Sequence, residues 1–595
     1  MPTNRLRRRV SGLSHLPFRV FVLYACLPSI SRAFVGGTMS KFPTFLQTYC
    51  HKFTKISLNM PAAARILSPA SVIEAKENGI EEDDDAFDWW KQWYPVALTR
   101  DIDGAVPTKV MLLGRDLVLW REGTAADAKK GAVRTWRCFV DRCPHRLAPL
   151  SEGRIDTRTG HLQCAYHGWE FSGSGQCSKI PQTDPETDQG GAGALRSRRA
   201  CATSLPTLEA QGMIWVWPDT SKEGVEASKA VKPTLMKDVD EKEMSYLVVC
   251  RDMPYGFDTL LENGIDPSHL PFAHHNIISN RNQAAYIDTQ VDKIWKGGFD
   301  SNQFYPKRGR KPSLPPISVS EQNSLTKDKH ADAHRMADCI NELSERFPDR
   351  PIAPPTVRVP QSLHFRPPTL LYQVINVTAI FDKIPFLPKR ERLIRIVTYA
   401  VPVAPGRSRV IYRFLRNYFL PPFSWMRWPP EWIQHQRILR VLDSDTVFLH
   451  GQERERALLS PSAAADVDRC YFMPTAADGS VRALRKWLAR FGGPRWLVPD
   501  LSSLPPTPDR RTLLDRYESH TKSCKICRGA LRNLKRLRQL IGFMSVMAFY
   551  LGLLGQSVYT RLAGGFFTVL GITGSVVIKR FEERFYFQPW DHGRN

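Results

Sequence analysis

Cysteine and histidine occur together in two short pairs, Cys143-Pro144-His145 and, after eighteen intervening residues, Cys164-Ala165-Tyr166-His167. Two thiolates and two neutral imidazoles are the donors of a Rieske [2Fe–2S] cluster, with the sulfurs on one iron and the rings on the other. Pro144 and Gly168 put each pair on a tight loop. Zinc takes the same four donors, but its ligands usually come as C-x₂₋₄-C with H-x₃₋₅-H. The spacing therefore favours the cluster. Further along, Asp266-Pro267-Ser268-His269-Leu270-Pro271-Phe272-Ala273-His274 reads D-x₂-H-x₄-H. Two imidazoles with a carboxylate are the donor types of a mononuclear non-haem Fe(II) site that keeps positions open for O₂. Alone, two histidines five apart are more often structural; the spacing leaves His275 out. A late carboxylate completes the inventory. Ile438, Leu442, Asp445 and Leu449 fall on one helical face, where an acid costs several kcal/mol unless it is paired or metal-bound. Asp445 is the candidate and Asp443, off that face, the fallback; the competing reading is a surface acid paired with Arg440 or Arg454. Cys524-Lys525-Ile526-Cys527 lies among Lys522, Lys525 and Arg528, whose charge favours thiolate and hence redox reactivity. For zinc this C-x-x-C is half a site and would need His520.

The elements that must position these residues are legible in outline. Residues 87–218 run in short apolar stretches split by turns, such as Val110–Leu113 and Leu117–Trp120, and read as an all-β domain. Residues 240–515 mix strands with helices, an α+β domain, with a polar, Pro-rich insert at 300–356 and one long helix from Glu431 to Leu458. A C-x-x-C segment, 516–530, precedes two apolar stretches within 540–578. Leu540–Tyr559 carries no charge over 20 residues and Leu562–Ile578 none over 17, long enough for a membrane hairpin. Basic residues at both outer ends put them on the same positive side. The alternative is a buried hairpin packed on the other domains.

The net charge is +24, but residues 1–73 hold ten Lys/Arg and no acid. Much of the excess is thus a targeting signal, which argues against a nucleic-acid partner. Residues 1–33 read as a signal peptide, basic then apolar and ending in Ser31-Arg32-Ala33 before Phe34. Residues 34–73 read as a plastid transit segment. Twelve cysteines are too sparse for a disulfide scaffold.

The stretches Cys143–Ile155 and His161–Trp169, with Phe87-Asp88-Trp89 and Gln92-Trp93-Tyr94-Pro95 upstream, resemble the plastid Rieske oxygenases of the pheophorbide a oxygenase family. The resemblance implies an N-terminal Rieske domain, a helix-grip-like catalytic domain and a C-terminal transmembrane hairpin. It makes Cys143, His145, Cys164 and His167 the cluster ligands, and His269 and His274 ligands of the mononuclear iron. Asp445, with Gln452 seven residues on, matches the family's late D-x₆-Q and becomes the third ligand. Asp266 becomes the acid linking His269 to a Rieske histidine of a neighbouring subunit, His167, in a head-to-tail homotrimer. Cys524 and Cys527 match a dithiol of the family thought to respond to thioredoxin.

The implied activity is oxygenation of a chlorophyll-derived tetrapyrrole with O₂ and electrons from ferredoxin, in a thylakoid or inner-envelope membrane with the catalytic domains stromal. Pheophorbide a is the first substrate; chlorophyllide, protochlorophyllide or a phyllobilin are alternatives. A translocon-linked redox component without turnover is a different class, and a zinc-stabilised membrane scaffold a third. The mononuclear-site residues argue against the redox component, and the scaffold requires both metal motifs to be misread.

Overall fold

A computed structural model describes residues 86–124, 134–183, 191–239, 245–305, 359–378, 389–418, 430–459, 470–492 and 501–592. The leader read over 1–73 lies outside the described residues, as does most of the insert.

The first part is β-rich, as its punctuated apolar runs predict, although one short helix, Gly191–Arg196, interrupts it. Strands β1 (Tyr94–Leu98), β10 (Thr207–Ala210) and β11 (Met213–Val216) make one antiparallel sheet in the order β1-β11-β10. Strands β2 (Thr108–Leu112), β3 (Arg115–Glu122), β4 (Thr135–Val140) and β9 (Ser204–Leu205) make a second. The short strands β5 (Arg154–Ile155), β6 (Leu162–Gln163), β7 (Glu170–Phe171) and β8 (Cys177–Lys179) make a third. Leu113 and Gly114 link β2 to β3, both with positive φ (52° and 72°), which suits the twist of a two-residue hairpin. Val118, Trp120, Phe139, Leu150 and Leu162 form a separate small core that includes Cys143 and Cys164.

The second part is a seven-stranded antiparallel sheet. Its strands are β12 (Ser245–Met253), β13 (Asp288–Val291), β14 (Phe299–Tyr305), β15 (Val359–Arg366), β16 (Leu370–Asn376), β17 (Leu393–Ala404) and β18 (Arg407–Arg416), in the order β12-β18-β17-β16-β15-β14-β13. The insert starts later than residue 300. Asp300 pairs with His364 in the β14–β15 ladder, and the strand continues to Tyr305. The polarity of Asp300-Ser301-Asn302-Gln303 hides a strand whose buried members, Ser301 and Gln303, bond to Ser480. The two parts share one core. The β2–β3 turn also docks on β17, with the amides of Leu113 and Gly114 donating to the carbonyls of Pro402 and Val403 at 3.0 and 2.7 Å.

Four helices build the site. They are α1 (Phe257–Ile265), α2 (Leu270–Ala273), α3 (Glu431–Leu459) and α4 (Gly479–Phe491). Helix α4 buries Val481, Leu484, Trp487, Leu488 and Phe491, an i, i+3, i+7 stripe. Arg485 in that stripe reaches Asp258 and Glu262 of α1, and Arg456 of α3 also meets Asp258 at 2.6 Å. A buried carboxylate between two guanidiniums ties three helices together, since removal of any member strands a charge. Helix α3 has the length expected from sequence, but its buried face differs. Ile438 and Leu442 are only half-buried, while His435, Leu439, Asp443, Asp445, Leu449, Glu453 and Arg456 are buried. Polar groups dominate the inner face, so an apolar stripe could not have located it.

The chain ends in a helical hairpin of α5 (Lys525–Leu554) and α6 (Val558–Glu583), both long and apolar enough to cross a membrane. The turn lies at 555–557, inside the uncharged stretch Leu540–Tyr559 and not at its end. Gly555 and Ser557, the latter capping α6 by accepting from the Tyr559 amide, end and restart the helix. The pair packs on small residues. A Cβ on Gly564 would meet the Gly552 Cα, and one on Gly571 would meet the Ser545 hydroxyl, the close approach that small residues permit between apolar helices. At the base of the hairpin Arg538 pairs with Glu582 at 2.8 Å.

Candidate metal centres

Both cysteine–histidine pairs sit at the tips of tight loops. The Leu147 amide donates to the Cys143 carbonyl at 2.9 Å and the Gly168 amide to the Cys164 carbonyl at 3.0 Å. Leu147 (φ 61°) and Gly168 (φ 74°) turn the chain through left-handed conformations. The sulfurs point inward, each cysteine being 2% exposed. Burial, with Cys164 alongside, pushes the Cys143 thiol up to about 12, so proton loss there calls for a metal. The rings point outward. His145 and His167 are 4.5 Å apart at their centroids, and Trp169 stacks on His145 at 4.6 Å. Buried sulfurs under outward-facing rings fit a two-iron cluster with its histidine edge at the surface.

Among the described residues, two sets of His, Cys, Asp or Glu bring at least three donor atoms within 4.8 Å of one another. The first set is His269, His274 and Asp445. Helix α1 ends at Ile265, Asp266 caps its C-terminus, and the short α2 holds the two histidines at its two ends. Helix α3 supplies Asp445, whose carboxylate oxygens lie 4.0 Å from His269 Nε2 and 3.5 Å from His274 Nε2. Burial pushes the Asp445 carboxyl up to about 7, and burial followed by His269 pushes His274 down to about 3. A buried acid facing a neutral imidazole has the donor chemistry that fits mononuclear iron. At His269 burial is outweighed by Asp445 and Asp266, so its pKa rises.

Neighbouring groups orient the donors. His274 Nδ1 lies 2.8 Å from the Ser444 hydroxyl, which itself donates to the Val441 carbonyl at 2.6 Å. Ser444 therefore accepts the Nδ1 proton and leaves the Nε2 lone pair facing Asp445. Asp266 lies 3.4 Å from His269 Nδ1, and Asn263 Nδ2 is 3.5 Å from His269 Nε2. Asp443, the fallback ligand, is committed elsewhere. It is buried between Arg251 and Arg516, at 2.6 Å from each. His275 accepts the Arg281 amide at 3.2 Å and stays outside the set.

The second set is His435, His520, Cys524 and Cys527. The C-x-x-C thiols turn away from Lys522, Lys525 and Arg528, whose charge seemed decisive in the sequence. They face inward, and Cys524 is depressed by its hydrogen bond to Cys527 and then by His435 and His520. The sequence offered no signal for His435, ten residues before Asp445 on the same helix. Ser444 and Asn263 were equally silent, because orienting groups follow no fixed spacing.

A Rieske [2Fe-2S] domain profile matches residues 92–206, and a pheophorbide a oxygenase profile matches residues 365–461. The chain is similar to pheophorbide a oxygenase of Oryza sativa subsp. japonica, at 36% identity over 469 residues, 77% of this chain and 76% of the relative. It is also similar to flavonoid 8-hydroxylase 2 of Ocimum basilicum, at 31% identity over 86% of this chain and 87% of the relative. Among solved structures, dicamba monooxygenase bound to dicamba aligns with a TM-score of 0.46 and 21% identity, over 68% of this chain and 98% of the other.

Proposed function

Because the chain belongs to the pheophorbide a oxygenase family of Rieske oxygenases, we propose that this plastid oxidoreductase is a membrane-anchored monooxygenase of a chlorophyll-derived tetrapyrrole, with pheophorbide a as first substrate and ferredoxin as electron donor. The observation that carries it is the His269–His274–Asp445 set, because a pure electron carrier needs no second metal site. When bound, the two iron groups supply single electrons and oxygen activation.

This chain's own residues do the rest. Cys143 and Cys164 would hold one iron of the cluster, and His145 and His167 the other. His269, His274 and Asp445 would hold the mononuclear iron, Ser444 fixes the His274 tautomer, and Asp266 orients His269. The outward-facing rings of His145 and His167, together with the partly exposed Asp266, support a head-to-tail homotrimer in which His167 of one subunit meets Asp266 of the next. The apolar hairpin supports anchoring, with the catalytic domains on the side of its basic base, the stroma.

Relatives at comparable identity carry tetrapyrrole and flavonoid names, so the test uses both substrate classes. Reconstituted protein, reduced ferredoxin and labelled O₂ are incubated with pheophorbide a, chlorophyllide a, protochlorophyllide a, a phyllobilin or a flavone, and products are read by mass spectrometry. Label in a pheophorbide product supports the proposal. Label in the flavone alone replaces the substrate class, and no label with both iron centres loaded removes all five.

A further inference from the structure

We propose that His435, His520, Cys524 and Cys527 form a structural zinc site, one that locks the start of the C-terminal hairpin onto the helix carrying Asp445. All four residues are buried. The Cys527 sulfur lies 3.3 Å from His520 Nε2 and 3.5 Å from His435 Nδ1, and the Cys524 sulfur lies 3.6 Å from His435 Nδ1. Zinc bonds of about 2.3 Å to sulfur and about 2.0 Å to nitrogen, set at tetrahedral angles, give a sulfur–nitrogen edge of about 3.6 Å. The three observed edges lie close to that length.

The outer nitrogens carry the argument further. His520 Nδ1 is 2.7 Å from the Cys250 carbonyl, and His435 Nε2 faces the Glu431 carboxylate at 3.5 Å. Glu431 is itself held by Arg100 at 2.8 Å. Metal-bound histidines are oriented by a carbonyl or carboxylate on their second nitrogen, and here His520 has a carbonyl at hydrogen-bond distance while a carboxylate faces His435. A regulatory dithiol needs an accessible thiolate for exchange. Cys524 is 2% exposed and Cys527 is fully buried, so neither offers one. Four protein donors leave no position for water or substrate, which makes the site structural. Binding needs no oxidant: the two thiol protons leave to solvent as the metal enters. The inference does not depend on which substrate the enzyme takes.

The test uses the full chain in detergent, purified without chelator, with metals counted by mass spectrometry. The expectation is about one zinc per chain beside about three irons. Zinc should be lost in Cys524→Ser/Cys527→Ser and in His435→Ala, while the Rieske electron paramagnetic resonance signal stays. If those variants do not fold, wild-type protein serves. Cys524 and Cys527 should resist maleimide until a chelator removes zinc, and labelling should then rise in step with zinc release. Zinc that persists in the double serine variant sits elsewhere and overturns the proposal. So does a zinc-free wild-type protein whose two cysteines are recovered as a disulfide or as freely labelled thiols.

Discussion

Helix α3 serves two donor clusters ten residues apart, and they are built on opposite plans. At Asp445 three donors converge, one of them a carboxylate, and His269 keeps a side-chain exposure of 18%. At His435 four donors converge, two of them thiols, and all are buried. Three donors with a partly open flank leave room for an exchangeable ligand, whereas four closed donors do not. The lesson is that one rigid helix can carry a site meant to react and a site meant to hold. The bonds around each show which is which. Ser444 and Asp266 position ligands beside an opening, while Glu431 and the Cys250 carbonyl complete a sealed shell.

The largest expected effect breaks the open end. Asp445→Ala should take turnover to background and remove the mononuclear iron, with the Rieske spectrum and any zinc unchanged; loss of zinc as well would mean that the two ends are one folding unit. Next comes the residue between them. Asp443→Asn strands Arg251 and Arg516, both buried, and should cost about 3 kcal/mol in a denaturant titration. Iron loss at unchanged stability would make Asp443 a ligand instead.

Ser444→Ala should leave the fold intact and weaken iron retention or turnover by about 10–100-fold, measured by iron content against chelator concentration. An unaffected enzyme would show that the His274 tautomer needs no such support. The smallest effect is a control that touches neither cluster. At Asp300, burial is overcome by His364 and Arg366, and the carboxyl falls to about 2. A depressed carboxylate stabilises above its unfolded value near 4 and loses that contribution as pH falls through about 2. Asp300→Asn should therefore be less stable by about 1 kcal/mol at neutral pH, after allowance for solvent screening. The difference should close toward pH 2, with both metal contents unmoved.

Local spacing made the paired donors of each site legible. C-x-H, C-x-x-H, D-x₂-H-x₄-H and C-x-x-C are held by single turns, so their geometry is written within a few residues. Asp445 was found because an acid on a helix demands a reason, although the reason given, an apolar stripe through Ile438 and Leu442, was not the face that is buried. His435 was not found, because its partners arrive from about 90 residues away in sequence and nothing local marks it. The strand hidden in the polar run from Asp300 and the hairpin turn at 555–557 were misplaced for a related reason. Polarity and charge report what faces water, whereas Ser301 and Gln303 are buried against Ser480 and the exposed Arg561 lies inside the first turn of α6.

Helix α5 runs without a break from Lys525 to Leu554, 30 residues or about 45 Å at 1.5 Å per residue. A flexible linker between an anchor and a catalytic body would let the body swivel at any angle above a bilayer. A continuous rod does not. In the proposed membrane-anchored enzyme the tilt of the hairpin would therefore set the heading of the whole molecule, and with it the side from which a substrate meets the site.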